Sequence, residues 1–404
     1  MAGSIWQLPL FLLWPLGALG ASVLRYPKGF FKTIVTLFCA FYGFTMVFQG
    51  KESDADRYIE DFNTVRQQSS SAVFEGVSSI FTSRAVLADP ANWLICYGVS
   101  RFTSDTRWLF AVVGLVFGFF YAHNLDLLLR HARPKVNKLA WLFLIGFALI
   151  IPVHDIYGYR MWVAAHMFFF GAVRVVMQRR YHYLAVAAAS VMVHFSFLMP
   201  TLLLCGFCLA GRRDLIYLLF ATGALFFGNI SVSELTPYAH YLGPVVERRA
   251  EGYSDKSYKS IREKDDADQR WFMRRIHILL YSLYAALVYV FMRYRRQLAP
   301  ELARLFSFSL LFLGFVGLLL PIPSMQRFAM VWILFVVAFL FFLCQEGRLR
   351  GLAVLHWALL PALGLYAVVE LRIGMELTGL DLFASNFALA WLFPHEFSLL
   401  NLLR

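Results

Sequence analysis

Charge is scarce in this chain: only 15% of its residues are Asp, Glu, Lys or Arg, while 60% are hydrophobic. A soluble domain carries roughly 25% charged residues, so a water-soluble globule is excluded, and a mean hydropathy of +0.62 puts the chain in lipid. Cysteine is scarce too. Cys39, Cys96, Cys205, Cys208 and Cys344 all lie in apolar stretches, which argues against a disulfide framework. Cys205 and Cys208 form a CxxC, but no second pair or histidine accompanies it, so it reads as packing and no metal is assigned. There is no glycine-rich phosphate loop, dinucleotide glycine pattern, GxSxG or HExxH, so neither a nucleotide nor any other cofactor is implied. No Lys or Arg precedes the first apolar run, although its end, Gly17 to Ala21, looks like a signal-peptidase site. Arg25, Lys28 and Lys32 follow it instead, the order of an uncleaved span inserted with its N-terminus outside.

What is abundant is long apolar runs. They fall near 4–24, 33–49, 108–129, 139–153, 161–178, 215–230, 276–292, 304–320, 328–344 and 351–371. Crossing a hydrocarbon core of about 30 Å takes roughly 20 helical residues, and backbone groups in lipid must bond internally. The predicted class is therefore all-α, a polytopic membrane protein forming a single transmembrane domain over 1–404. The run 184–210 is too long for one straight span and short for two, and charge decides it. Arg179-Arg180 precede it and Arg212-Arg213 follow it, so a hairpin turning near His194 to Pro200 keeps both basic pairs in the cytoplasm. That gives about 12 transmembrane helices, both termini outside, and short external loops whose basic residues are Arg160 and Arg327. Two longer external segments remain, 50–107 with short helices and the loop 231–275. Residues 373–404 read as an interfacial segment or a half-span. The net charge of +12 is dispersed as short clusters at helix ends, which fits topology and not nucleic acid.

The residues that attract attention are ionisable groups at the external ends of spans, where burial is costly and function is the default hypothesis. Arg160 and Arg327 each open a span against the positive-inside bias. Each reads either as an interfacial anchor or as an anion clamp, since a guanidinium fork matches phosphate oxygens. His194, at the turn of the hairpin, is a candidate base or a structural cap. His166, further inside the span that Arg160 opens, is a candidate substrate contact or an interior packing group. In the first external segment Asp54, Arg57 and Tyr58 place a carboxylate, a cation and an aromatic together, either as a solvated amphipathic helix or as a base beside a sugar-stacking ring.

Taken in order, these elements resemble the EpsG-like branch of the Wzy-type bacterial polysaccharide polymerases, the family of O-antigen and exopolysaccharide polymerases. The resemblance rests on Asp54 and Tyr58 at a spacing of four, on Pro90-Ala91-Asn92-Trp93-Leu94, and on Leu109-Phe110-Ala111. It rests most on Arg160, Arg179-Arg180-Tyr181 and His194-Phe195-Ser196, with Arg327 as a late arginine opening a span. Met161 stands where the family often has glutamine. The resemblance implies a GT-C-like architecture in the inner (plasma) membrane and a metal-independent glycosyltransferase that moves a growing glycan from undecaprenyl pyrophosphate to a lipid-linked repeat unit at the periplasmic face. It implies Asp54 or His194 as catalytic base and Arg57, Tyr58, Arg160, His166 and Arg327 as substrate contacts. The partners implied are the undecaprenyl-pyrophosphate-linked oligosaccharide, membrane lipid and a chain-length regulator, with no nucleic acid. An O-antigen-ligase-like or single-sugar lipid-linked transferase shares this plan. A transporter of lipid-linked oligosaccharide is the non-enzyme alternative, for which an internal repeat is lacking.

Overall fold

A computed structural model describes residues 6–48, 54–78, 89–132, 135–227, 274–320, 322, 325–346, 351–394 and 396–403. Most of the expected external loop 231–275 lies outside the described residues. Among the described residues there is no β-sheet, only isolated bridges at Met46–Thr378 and Gly379–Ser398. The helices in chain order are α1 (Gln7–Leu13), α2 (Pro15–Leu24), α3 (Phe31–Phe44), α4 (Asp54–Gln67), α5 (Ser70–Ser78), α6 (Pro90–Ser100), α7 (Arg107–His131), α8 (Trp141–Ile150), α9 (Tyr159–Gln178), α10 (Leu184–Val193), α11 (Leu198–Ala210) and α12 (Asp214–Phe227). They continue with α13 (Arg275–Tyr294), α14 (Pro300–Leu319), α15 (Arg327–Gln345), α16 (Ala353–Leu377), α17 (Asp381–Ala384), α18 (Phe387–Leu392) and α19 (Leu399–Leu403).

Among the described residues six stretches are long and apolar enough to cross a membrane, which fits a multi-pass membrane protein. One is the 41-residue stretch Lys138–Gln178, which includes both α8 and α9 and the 3-10 turn Val153–Gly158 between them. Five shorter apolar helices, among them α3 and the pair α10 and α11, occupy other predicted runs. The described residues thus show six long apolar stretches and several shorter helices where about twelve full spans were expected.

The core is organised on α15, in which every residue from Phe328 to Cys344 is buried. A helix apolar on all sides has no face for lipid or water and belongs at the centre of a bundle. Around it, α3 and α7 pack backbone to backbone. An added Cβ would lie 2.3 Å from the Cys39 carbonyl oxygen at Gly114 and 2.2 Å from the Phe110 carbonyl oxygen at Gly43. Gly118, four residues after Gly114, abuts Thr36 in the same way. Small residues at this spacing let helices approach where lipid supplies no hydrophobic drive, so packing must supply the contact energy.

The bundle has two chemically distinct ends. At one, Asp126 near the end of α7 takes Arg130 at 2.8 Å and Lys32 at 3.9 Å. At the same end the Arg304 guanidinium, in the first turn of α14, donates to the Val176 carbonyl at 2.8 Å and to the Met177 carbonyl, both in the last turn of α9. The Arg213 amide donates to the Ser307 hydroxyl of α14 at 3.2 Å, so Arg179-Arg180 and Arg212-Arg213 share one end. Between them the chain folds back: Thr201 donates to the Ala187 carbonyl at 3.3 Å, whereas fourteen residues of straight helix would separate the two by roughly 21 Å. His194, in extended conformation between α10 and a short 3-10 turn, marks the reversal at the other end. Beyond α16 the chain forms short helices instead of a span. Phe387 packs on Phe41, Phe44 and Trp108, and Arg107 donates to the Ala390 carbonyl at 3.0 Å.

Candidate functional site

Arg160 and Arg327 begin α9 and α15, whose first turns both lie at the end opposite the basic clusters. Arg160 follows the 3-10 turn Val153–Gly158, which carries the chain from α8 back into the bundle. Helix α4 lies across this end. Its first turn presents Asp54 and, four residues on, Tyr58, an i, i+4 pair on one face. The Asp54 carboxylate accepts from the Arg327 guanidinium at 3.4 Å, and the Arg160 guanidinium lies 4.8 Å from the centre of the Tyr58 ring. One turn of α4 therefore bridges the two arginines. A Cβ at Gly158 would crowd the Trp162 indole nitrogen at 3.1 Å and would reach the Asp54 carboxylate only at ordinary contact distance, 4.0 Å. Arg57 is 3.9 Å from Asp54 and mostly exposed, at the rim.

The second carboxylate of the group is Asp89, which the sequence reading passed over. It stands at the N-cap of α6, directly before Pro90, where an aspartate ordinarily caps its own helix. Here its side chain makes no such cap. Instead it accepts the Phe195 amide at 2.8 Å, lies 3.4 Å from Arg160 and 3.7 Å from Nδ1 of His194, and is itself buried. Ser196 places its hydroxyl 3.3 Å from the same ring nitrogen. The turn that reverses the α10–α11 hairpin is thus tied by one carboxylate to the arginine that opens α9. The only hint in the sequence was an acid before a proline, which reads first as an ordinary helix start.

A third layer supports these groups. Tyr159 packs its ring 4.3 Å from Tyr58 and donates its hydroxyl to the Asn92 amide oxygen. The Asn92 nitrogen in turn donates to Asp61 at 2.8 Å. Burial pushes the Asp61 carboxyl above the usual carboxylate range, opposed by the Asn92 bond and by the charge of Arg160. Burial likewise raises Tyr58, with Arg160 opposing.

Asp54, Arg57, Tyr58, Arg160, His194 and Arg327 thus form one group with Asp89. His166 lies apart from it. It is fully buried, with Nε2 3.1 Å from the Ile151 carbonyl and its ring edge-on to Phe117 and Tyr121, while its own carbonyl accepts from Asn124 at 2.9 Å. Those contacts are those of a group joining α9 to α7 inside the bundle. Among the described residues no three His, Cys, Asp or Glu side chains converge as metal ligands would.

Chemically, the group is two arginines held by two carboxylates, beside an imidazole and exposed to the surface in part. Side-chain exposure is 27% for Arg160 and 44% for Arg327, against 5% for Asp89. The cations can reach an outside ligand; the buried carboxylate that positions one of them cannot. Such an arrangement suits a phosphate or pyrophosphate anion, with a proton acceptor close by.

Comparison with known proteins gives one result. The family model described as the EpsG family matches residues 30–371. No curated protein and no solved structure matches the chain.

Proposed function

The chain belongs to the EpsG family, associated with polysaccharide polymerases, and from that premise we propose that it polymerises a lipid-linked polysaccharide at the outer face of the bacterial inner membrane, with its N-terminus outside. The observation that carries the reading is the bridging of Arg160 and Arg327 by a single turn of α4. In a polymerase the donor is a growing glycan on undecaprenyl pyrophosphate. The acceptor hydroxyl of a new lipid-linked repeat unit attacks the anomeric carbon. The new glycosidic C–O bond forms as the C–O bond to the pyrophosphate breaks, undecaprenyl pyrophosphate leaves, and the acceptor proton passes to a base. A single displacement of this kind inverts the anomeric centre.

Charge on the leaving pyrophosphate grows as that bond breaks, so contacts from Arg160 and Arg327 strengthen in the transition state and lower the barrier. Asp54 and Asp89 keep the guanidinium groups aimed and charge-balanced before the donor arrives. Of the two candidate bases, the geometry favours His194. It has the Asp89 carboxylate beside it to stabilise the charge it acquires, while Asp54 already answers to Arg327 and Arg57. Tyr58, buried between the Tyr159 ring and the Arg160 guanidinium, holds that guanidinium in place.

The test is reconstitution of the purified chain in bilayer discs with lipid-linked repeat units. A ladder of products with release of undecaprenyl pyrophosphate is expected. Transfer of a single unit to a different acceptor would instead indicate a ligase or single-sugar transferase. Movement of the lipid-linked unit between leaflets with no new glycosidic bond would indicate a transporter.

A further inference from the structure

At the end of the bundle opposite Arg160 and Arg327, the turn between α11 and α12 meets the turn between α13 and α14. A surface cavity of about 820 Å³ opens there, lined by Arg212, Arg213, Asp214, Leu215, Arg295 and Arg296 among others. A smaller one of about 370 Å³ adjoins it, shares Arg295 and Arg296, and adds Arg293, Phe291 and Met292. Arg212 ties the two turns together, chelating Asp214 at 2.5 and 2.8 Å and donating to the Arg295 carbonyl at 3.2 Å.

Part of the basic charge at this end is engaged within the chain. Lys32 and Arg130 share Asp126, and Arg304 is spent on two helix-end carbonyls. Around the larger cavity four arginines face one carboxylate. The walls also carry apolar side chains that are more than half exposed: Leu215 at 54%, Ile216 at 55% and Met292 at 78%. One turn further into the bundle, Leu219 continues the α12 strip at 64% exposure. Excess guanidinium at the interface, with an outward apolar strip running from it toward mid-membrane, is the complement of a lipid whose headgroup is anionic.

We propose that these adjoining cavities bind an anionic phospholipid of the leaflet opposite the Arg160–Arg327 group, its phosphate on Arg295 and Arg296 and its acyl chains along Leu215 and Leu219. Two cavities sharing two arginines favour a headgroup with two phosphates over one with a single phosphate. The site is independent of the reaction proposed above, so a chain without polymerase activity could still show it.

Native mass spectrometry of the purified full-length chain tests the site, using diphosphatidylglycerol, phosphatidylglycerol and phosphatidylcholine as probes. Retention is expected to fall in that order. Arg295→Gln with Arg296→Gln should weaken diphosphatidylglycerol binding roughly tenfold to thirtyfold, the effect of removing two interfacial charges. Arg66→Gln, an exposed arginine of α4, should not weaken it. Equal retention of phosphatidylcholine, unchanged binding by the double variant, or displacement by millimolar inorganic phosphate overturns the proposal. Should the double variant not fold, a photoactivatable diphosphatidylglycerol on the native chain decides the matter. Crosslinks at Leu215, Ile216 or Met292 support the site, and crosslinks confined to other helices overturn it.

Discussion

Replacing Arg160 by lysine keeps the charge and removes the geometry, which makes it the sharpest probe of the proposed pyrophosphate clamp. In the structure the guanidinium does two things at once: its central carbon lies 4.8 Å from the Tyr58 ring centre, and one nitrogen lies 3.4 Å from Asp89. An ammonium on a lysine stem can satisfy Asp89 but offers no planar fork to a second anion. Losing one preorganised contact to a developing oxyanion costs about 3 kcal/mol in the barrier, on the order of a hundredfold in rate. A partly desolvated cation–ring contact contributes about 1 kcal/mol more to holding the group. Because these act through one side chain they do not simply add, so the expected loss for Arg160→Lys is about a hundredfold in turnover, close to that of Arg160→Ala. Apparent affinity for the donor should change far less, since the clamp tightens as the bond breaks. The assay is the initial rate of ladder growth at saturating donor, with monodisperse elution in detergent confirming a folded chain. Tyr58→Leu, which removes the ring but not the cation, should sit between, at about a fivefold loss. If the lysine variant elongates within about threefold of the native chain, Arg160 is an interfacial anchor and the clamp is refuted at that position.

His194→Ala should abolish elongation to within about a hundredfold of background while Asp54→Asn retains a larger share, because only His194 has Asp89 to balance an acquired proton; the reverse order in the same rate assay would make Asp54 the base. Gly114→Val should lower detergent stability by about 1–3 kcal/mol or prevent folding, since its Cβ would lie 2.3 Å from the backbone oxygen of Cys39, and a native melting temperature would contradict the α3–α7 contact. Asp61 has its carboxyl raised by burial, so its ionisation opposes the fold: stability is highest below the unfolded value and falls as pH rises through the folded one. Asp61→Asn should therefore flatten the fall in melting temperature as pH rises above about 4, the unfolded value, and an unchanged slope would place the dependence elsewhere.

The helical class and the multi-pass plan were legible in the sequence because lipid forbids alternatives: apolar runs must close their own hydrogen bonds. The shared end of Arg179-Arg180 and Arg212-Arg213 was legible too, from charge alone, since a single straight helix over 184–210 would have parted them. Arg160, His194 and Arg327 could be nominated because each is an ionisable group at a span end, where the membrane disfavours one, and Asp54 and Tyr58 because they stand four residues apart in the first external segment. What one dimension could not hold was their pairing. Asp89 obeys every rule of a helix start and so gave no signal; only the fold turns its carboxylate away from α6 onto Phe195, His194 and Arg160. His166 broke the same rule as the others yet lies among Phe117, Tyr121 and Ile151, because which way a helical residue faces depends on the neighbour packed against it. Gly114 and Gly118 likewise mark a contact whose partner, α3, lies some seventy residues earlier in the chain. Composition fixes what must be buried and charge fixes which side a loop takes, but the choice of partner across the bundle belongs to tertiary packing, where shape and not pattern discriminates.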